Sequence, residues 1–233
     1  MRRILLLCSS LFCLAVFAPS AGAATNLGAT FEPQLCSAGT TYIQTADPGN
    51  RYMVPADGVL TSWSYQALDA PQQSIRLKVG RAAPGADLTT DADVTITAQS
   101  ESHTPTAGQL NTFSTRVPVK AGDRIGESFG GTPLDLAGCS REDNNFTDHF
   151  FSDQVPPGDT ETFAEENFQQ NIAAVWEPDA DHDGFGDETQ DKCATNAGTQ
   201  LACPATAKKK CKKKKHRRSA ESAKKKKCKK KRK

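Results

Sequence analysis

The sequence predicts an all-β fold, an antiparallel β-sandwich, and three observations carry that prediction. Apolar side chains recur at every second position in a series of short runs, which is the period of a half-buried strand. Pro48-Gly49, Asp57-Gly58, Pro84-Gly85, Ala121-Gly122-Asp123 and Gly130-Gly131 separate the runs, and these pairs are turn chemistry. No sustained 3.6-residue apolar stripe appears anywhere, and residues 161–170 are the only stretch that reads as a short helix.

In chain order, Met1-Arg2-Arg3 is followed by an apolar run over residues 4–18 and then by Ala21-Gly22-Ala23. A charged start, an apolar middle and small residues at −3 and −1 make a secretory leader over residues 1–23, with the mature chain starting at Ala24. The apolar run is shorter than the roughly 20 residues a membrane-spanning helix needs. The chain therefore reads as secreted, extracellular or associated with the cell envelope.

Residues 24–177 read as the sandwich. Val59, Thr61, Trp63 and Tyr65 alternate with Ser62, Ser64 and Gln66, and Ile75, Leu77 and Val79 with Arg76, Lys78 and Gly80. The pattern returns at Val94, Ile96 and Ala98, at Phe113 to Val119, and at Arg124-Ile125. Eight or nine short strands in this length fit two packed sheets, jelly-roll-like, around one core. His149 stands without a second histidine or a nucleophile motif and reads as an ordinary strand or loop histidine. No nucleophile elbow and no HExxH pattern occurs, so no catalytic residue is assigned.

Residues 178–204 hold the most specific motif, Asp179-Ala180-Asp181-His182-Asp183-Gly184-Phe185-Gly186-Asp187-Glu188 and, further on, Asp191 and Cys193. Carboxylates at positions 1, 3, 5 and 9, with glycine at 6 for a sharp turn, wrap hard oxygen donors around one point. Ca2+ takes six to eight such oxygens. The ligands are read as Asp179, Asp181, Asp183, the Phe185 carbonyl, Asp187 and Asp191, with Glu188 the alternative closing ligand. Pro178 and the apolar run before it exclude the leading helix of an EF-hand. The stretch resembles a thrombospondin type 3 repeat, with Asp191 and Cys193 one residue later than in that pattern. Together with Val54-Pro55-Ala56-Asp57-Gly58 to Trp63 and Val119 to Gly126, it resembles secreted actinobacterial proteins that join a jelly-roll-like domain to one such loop. That resemblance implies the architecture and no particular activity.

Six cysteines remain beyond the leader: Cys36, Cys139, Cys193, Cys203, Cys211 and Cys228. An even number in an oxidising compartment favours disulfides. Pairing nearest neighbours gives Cys36–Cys139, Cys193–Cys203 and Cys211–Cys228, among the 15 arrangements that six cysteines allow.

Residues 205–233 read as a disordered polybasic tail. Residues 208–233 hold 18 of the 29 Lys and Arg with one acid, about +17, whereas residues 24–207 hold 9 basic and 26 acidic residues, about −17. The formal net charge of +2 conceals two opposite halves. For an exported chain the tail suits anionic cell-wall polymers or a membrane surface. Nucleic acid would bind without specificity, since the tail has no aromatic residue to stack on bases. The sandwich itself is expected to bind or to support, toward glycans if it binds. A polysaccharide hydrolase or lyase and a nucleic-acid-binding surface protein are the alternatives.

Overall fold

A computed structural model describes residues 23–204, Pro133 excepted. Residues 1–22 of the expected leader (1–23) and the expected tail over residues 205–233, with the expected Cys211–Cys228 pair, lie outside the described residues. Among the described residues the protein is all-β, built from thirteen strands in antiparallel pairing and without a helix.

The strands form two packed layers. One sheet runs β1 (Thr25–Ala29), β13 (Ile172–Pro178), β4 (Gly58–Gln66), β7 (Leu110–Val119). The other layer curls into a closed ring: β10 (Thr147–Phe151), β11 (Thr160–Glu166), β6 (Ala92–Gln99), β5 (Ile75–Ala82), β8 (Arg124–Phe129) and β3 (Thr41–Ala46). A small sheet of β12 (Phe168–Gln170), β9 (Leu136–Glu142) and β2 (Gln34–Ser37) completes the fold. The Cys36–Cys139 disulfide expected from the sequence ties β2 to β9.

The principal core lies between the layers. Leu60, Trp63, Tyr65, Val117, Ile172, Ala174 and Trp176 of the open sheet meet Ile75, Leu77, Val79, Ile125 and Phe129 of the ring. The opposite faces of the ring strands enclose a second core of Ile43, Val94, Ile96, Val155 and Phe163. Lys78 is buried on the inner side and its Nζ donates to the Val155 carbonyl and to Gln99 Oε1, both at 2.6 Å. Burial first, and then the charge of Arg76, lowers its pKa to about 8.

Three expectations are corrected. Residues 161–170 are not a helix but all of β11 after Thr160, then Asn167 and β12. Thr160 to Phe163 pair with Thr95 to Ala92, and Phe163 is fully buried in the ring. Propensity is a weak prior, and Ala164, Glu165 and Glu166 follow the ladder instead. The strand count exceeds eight or nine because short strands such as β2 and β12 carry too few residues to show a period. Finally, Val59 and Thr61 do not share the face of Trp63 and Tyr65. A bulge at Thr61 shifts the register against both β7 and β13, so Leu60 turns into the core. Val59, directly opposite Glu177, and Thr61 turn to the outer face.

His149 sits in β10 as expected of a strand histidine. It is buried, with Nδ1 2.7 Å from Thr45 Oγ1 and Nε2 2.9 Å from the Thr90 carbonyl.

Candidate metal centre

The acidic loop is seated on the outer face that the Thr61 bulge exposes. Glu177, the last residue before Pro178, is the anchor. Its Oε2 accepts the N–H groups of Glu188 and Thr189, both at 2.9 Å. Its Oε1 accepts the hydroxyls of Thr189 at 2.6 Å and Thr61 at 3.0 Å. Burial by itself would raise this carboxyl's pKa, but the bonds from Thr189, Glu188 and Thr61 outweigh it and leave the group below its ordinary range. Gly186 passes directly over the anchor. A Cβ there would lie 2.5 Å from Glu177 Oε2 and 2.6 Å from Thr61 Cγ2, so only glycine fits. The Arg116 guanidinium lies 4.1 Å above the Phe185 ring, and Gln190 Nε2 donates to the Thr115 carbonyl at 2.8 Å, which joins the loop to β7.

Within the loop, carboxylates organise the backbone. Asp179 accepts from the N–H groups of Asp183 at 3.1 Å and Gly184 at 2.9 Å. Gly184 turns the chain at φ 83°. Asp183 Oδ1 accepts from Phe185 N–H at 2.9 Å. Asp187 accepts from Ala180 N–H at 3.1 Å, which brings the two ends of the loop together. Asp191, almost wholly buried, accepts from Cys193 N–H through Oδ1 at 2.7 Å.

One oxygen from each of Asp179, Asp181 and Asp183 falls within 4.8 Å of the others. Oxygens that share one ion at 2.3–2.6 Å can be no more than roughly 5 Å apart, so these three can hold a metal ion. Three loop oxygens are buried with no hydrogen-bond partner: both of Asp181 and Oδ2 of Asp191. An ionised oxygen hidden in this way is costly unless a cation meets it. Burial, followed by the charges of Asp179, Asp181 and Asp191, raises the pKa of Asp187, so these four carboxylates share one field.

The Cys193–Cys203 disulfide, with a Cα–Cα distance of 4.7 Å, closes the segment that follows. That segment folds back over the loop: Gln200 Nε2 donates to Asp183 Oδ2 at 2.8 Å, and Lys192 N–H to the Gln200 carbonyl at 3.0 Å. Of the sequence-expected aspartates, Asp179, Asp181 and Asp183 are brought together as one group, and Asp187 and Asp191 lie outside that group. Glu188 instead points its carboxylate to Ala24 N at 2.7 Å. The motif did not reveal Glu177, Thr61, Thr189, Gln190 and Gln200. The one available signal was a glutamate breaking the apolar run just before Pro178.

A second feature lies between the ring and the small sheet, a cleft of about 260 Å³. Tyr42, Phe150 and Phe168 supply aromatic surface, Ser140 and Ser152 hydroxyls, and Glu166 a carboxylate. Burial, then the charge of Glu165, raises the pKa of Glu166.

Among the described residues no helix is long and apolar enough to cross a membrane. No known family model matches the chain, and no curated protein or solved structure is significantly similar to it.

Proposed function

We propose that this chain is an exported, calcium-binding β-sandwich module that acts by binding rather than catalysis and is retained at the cell envelope by its polybasic tail. The observation that carries the calcium reading is the set of buried, unpartnered oxygens of Asp181 and Asp191 beside Asp179, Asp183 and Asp187. Those five carboxylates and the Phe185 carbonyl would supply six oxygen donors and no nitrogen or sulfur. That is the hard set calcium prefers, whereas magnesium keeps several waters and is less suited to an all-protein cage. The likeness of the motif to a thrombospondin type 3 repeat supports the same ion. Calcium here would neutralise the loop and fasten it to β4, β7 and β13.

Export is supported by the leader pattern and by two disulfides, which persist in oxidising compartments. The charge of the tail supports retention on anionic wall polymers or lipid headgroups, with nucleic acid a non-specific competitor. Aromatic walls, hydroxyls and one carboxylate make the Glu166 cleft suited to a glycan. Glu166 is the only carboxylate among its lining residues, and most glycoside hydrolases use a pair, which favours binding over hydrolysis.

Thermal melting of the full chain in excess calcium and in chelator tests the reading. Calcium at a hundredfold excess over Kd is expected to stabilise the fold by about 2.7 kcal/mol. Asp181→Asn is expected to lose most of that gain while its calcium-free form melts no lower than wild type. An equal melting temperature with and without calcium overturns the proposal.

A further inference from the structure

One contact joins the first strand to the loop without serving the metal site. Ala24 donates its backbone N–H to Glu188 Oε1 at 2.7 Å. The topology places it there. β1 is an edge strand paired with β13 alone, and Thr25 lies opposite Trp176, close to where β13 gives way to the loop. The nitrogen of residue 24 therefore emerges beside the loop. Glu188 is held from the other side, because its own N–H is bound by Glu177. Its exposed carboxylate is left facing Ala24.

Between two exposed groups, a neutral amide donating to a carboxylate is a weak contact. The residues ahead of it change its meaning. Ala21-Gly22-Ala23 places small residues at −3 and −1 of the Ala23–Ala24 bond. We propose that hydrolysis of this bond creates the group that Glu188 binds, the α-ammonium of Ala24. Water adds across the amide, Ala23 leaves as a carboxylate, and Ala24 keeps its nitrogen as an amine. With a reference pKa of roughly 7.7–8.0, that amine is largely protonated at neutral pH. One neutral N–H becomes a cation with three donors at the same place, and charge-assisted hydrogen bonds are roughly twice as strong as neutral ones.

This inference rests on the export reading and adds two assignments to it. Maturation itself ties β1 to the loop, a tie the unprocessed chain has only as an amide contact. Glu188 is the receptor for the new terminus, which leaves Asp191 as the closing metal ligand, consistent with its free buried oxygen.

The test expresses the full chain with its own leader in an exporting host and reads the terminus by mass. The calcium-loaded protein is then treated with a carbodiimide, which joins an amine to a touching carboxylate with loss of water, and its peptides are mapped. The chain is expected to begin at Ala24, with Glu188 as the main partner of the α-nitrogen, and the link is expected to vanish in Glu188→Gln. Retaining Ala23 ahead of Ala24, or making Glu188→Gln, is expected to lower Tm by about 1–3 °C, with little further loss when the two are combined. Calcium affinity of Glu188→Gln is expected to stay within about threefold of wild type. A chain that begins elsewhere overturns the proposal, and one that keeps its leader overturns the export reading too. A chain beginning at Ala24 whose amine links indifferently to several carboxylates overturns the clamp and leaves export standing. A tenfold loss of calcium affinity in Glu188→Gln returns that residue to the metal and overturns its assignment.

Discussion

Asp181 and Glu127 are both hidden from water without a hydrogen-bond partner, and chemistry resolves them in opposite ways. Asp181 lies among other aspartates in a loop, where a cation can reach it. Glu127 is fully buried in the principal core, where burial, then the charge of Asp148, pushes its pKa well above the usual carboxylate range and favours the protonated form. A raised folded pKa means that its contribution to stability is fully present below the unfolded value of roughly 4.3 and is lost as pH rises through the folded value. Glu127→Gln removes that loss. The stability of the variant relative to wild type is expected to grow from pH 4.5 to 8, at up to about 1.4 kcal/mol per pH unit, in denaturant titrations. A constant difference across that range would show that the group does not titrate there. Gly186 gives a second prediction at this scale. A methyl group there meets the Glu177 carboxylate, so Gly186→Ala is expected to cost about 1–3 kcal/mol and to weaken calcium binding by displacing the loop. The aspartates were legible because spacing alone marks a loop that could hold a metal ion. Glu177 was not, because its importance comes from Thr61, 116 residues away in the chain.

At the scale of elements, the Thr61 bulge and the Cys193–Cys203 disulfide do complementary things. The bulge turns Thr61 and Val59 outward and makes the platform; the disulfide holds Gln200 against Asp183 above it. Replacing both cysteines with serine is expected to cost about 2–3 kcal/mol by the loop-entropy argument and to lower calcium affinity, measured by melting and by direct titration. Unchanged affinity would show that the segment after Cys193 does not support the site. Most strands were legible from alternation, as β5 and β6 show. The exceptions are instructive. The bulge reverses the faces of β4 within one residue, and β11 has the composition of a helix but the neighbours of a strand.

For the whole molecule, the division of charge is the dominant feature, with about −17 in residues 24–207 and about +17 in 208–233. Near an anionic surface each basic residue contributes roughly 1 kcal/mol within a Debye length of roughly 8 Å at physiological salt. The full chain is expected to bind isolated cell envelopes and to be released by salt, while residues 24–204 stay in solution. Equal, salt-insensitive binding by the shorter form would move recognition to the sandwich and direct attention to the Glu166 cleft.

The sequence by itself determined the all-β class and the acidic loop with its aspartates, and it made the short Cys193–Cys203 closure the natural one. These depend on local period, spacing and turn chemistry, which neighbouring residues settle among themselves. Only the tertiary structure decided the closed ring, the Cys36–Cys139 pairing, the outward turn of Thr61, the Glu177 anchor and the meeting of Ala24 with Glu188. Each of these joins residues more than a hundred positions apart or depends on the register of a third strand, and no local pattern encodes such a pairing.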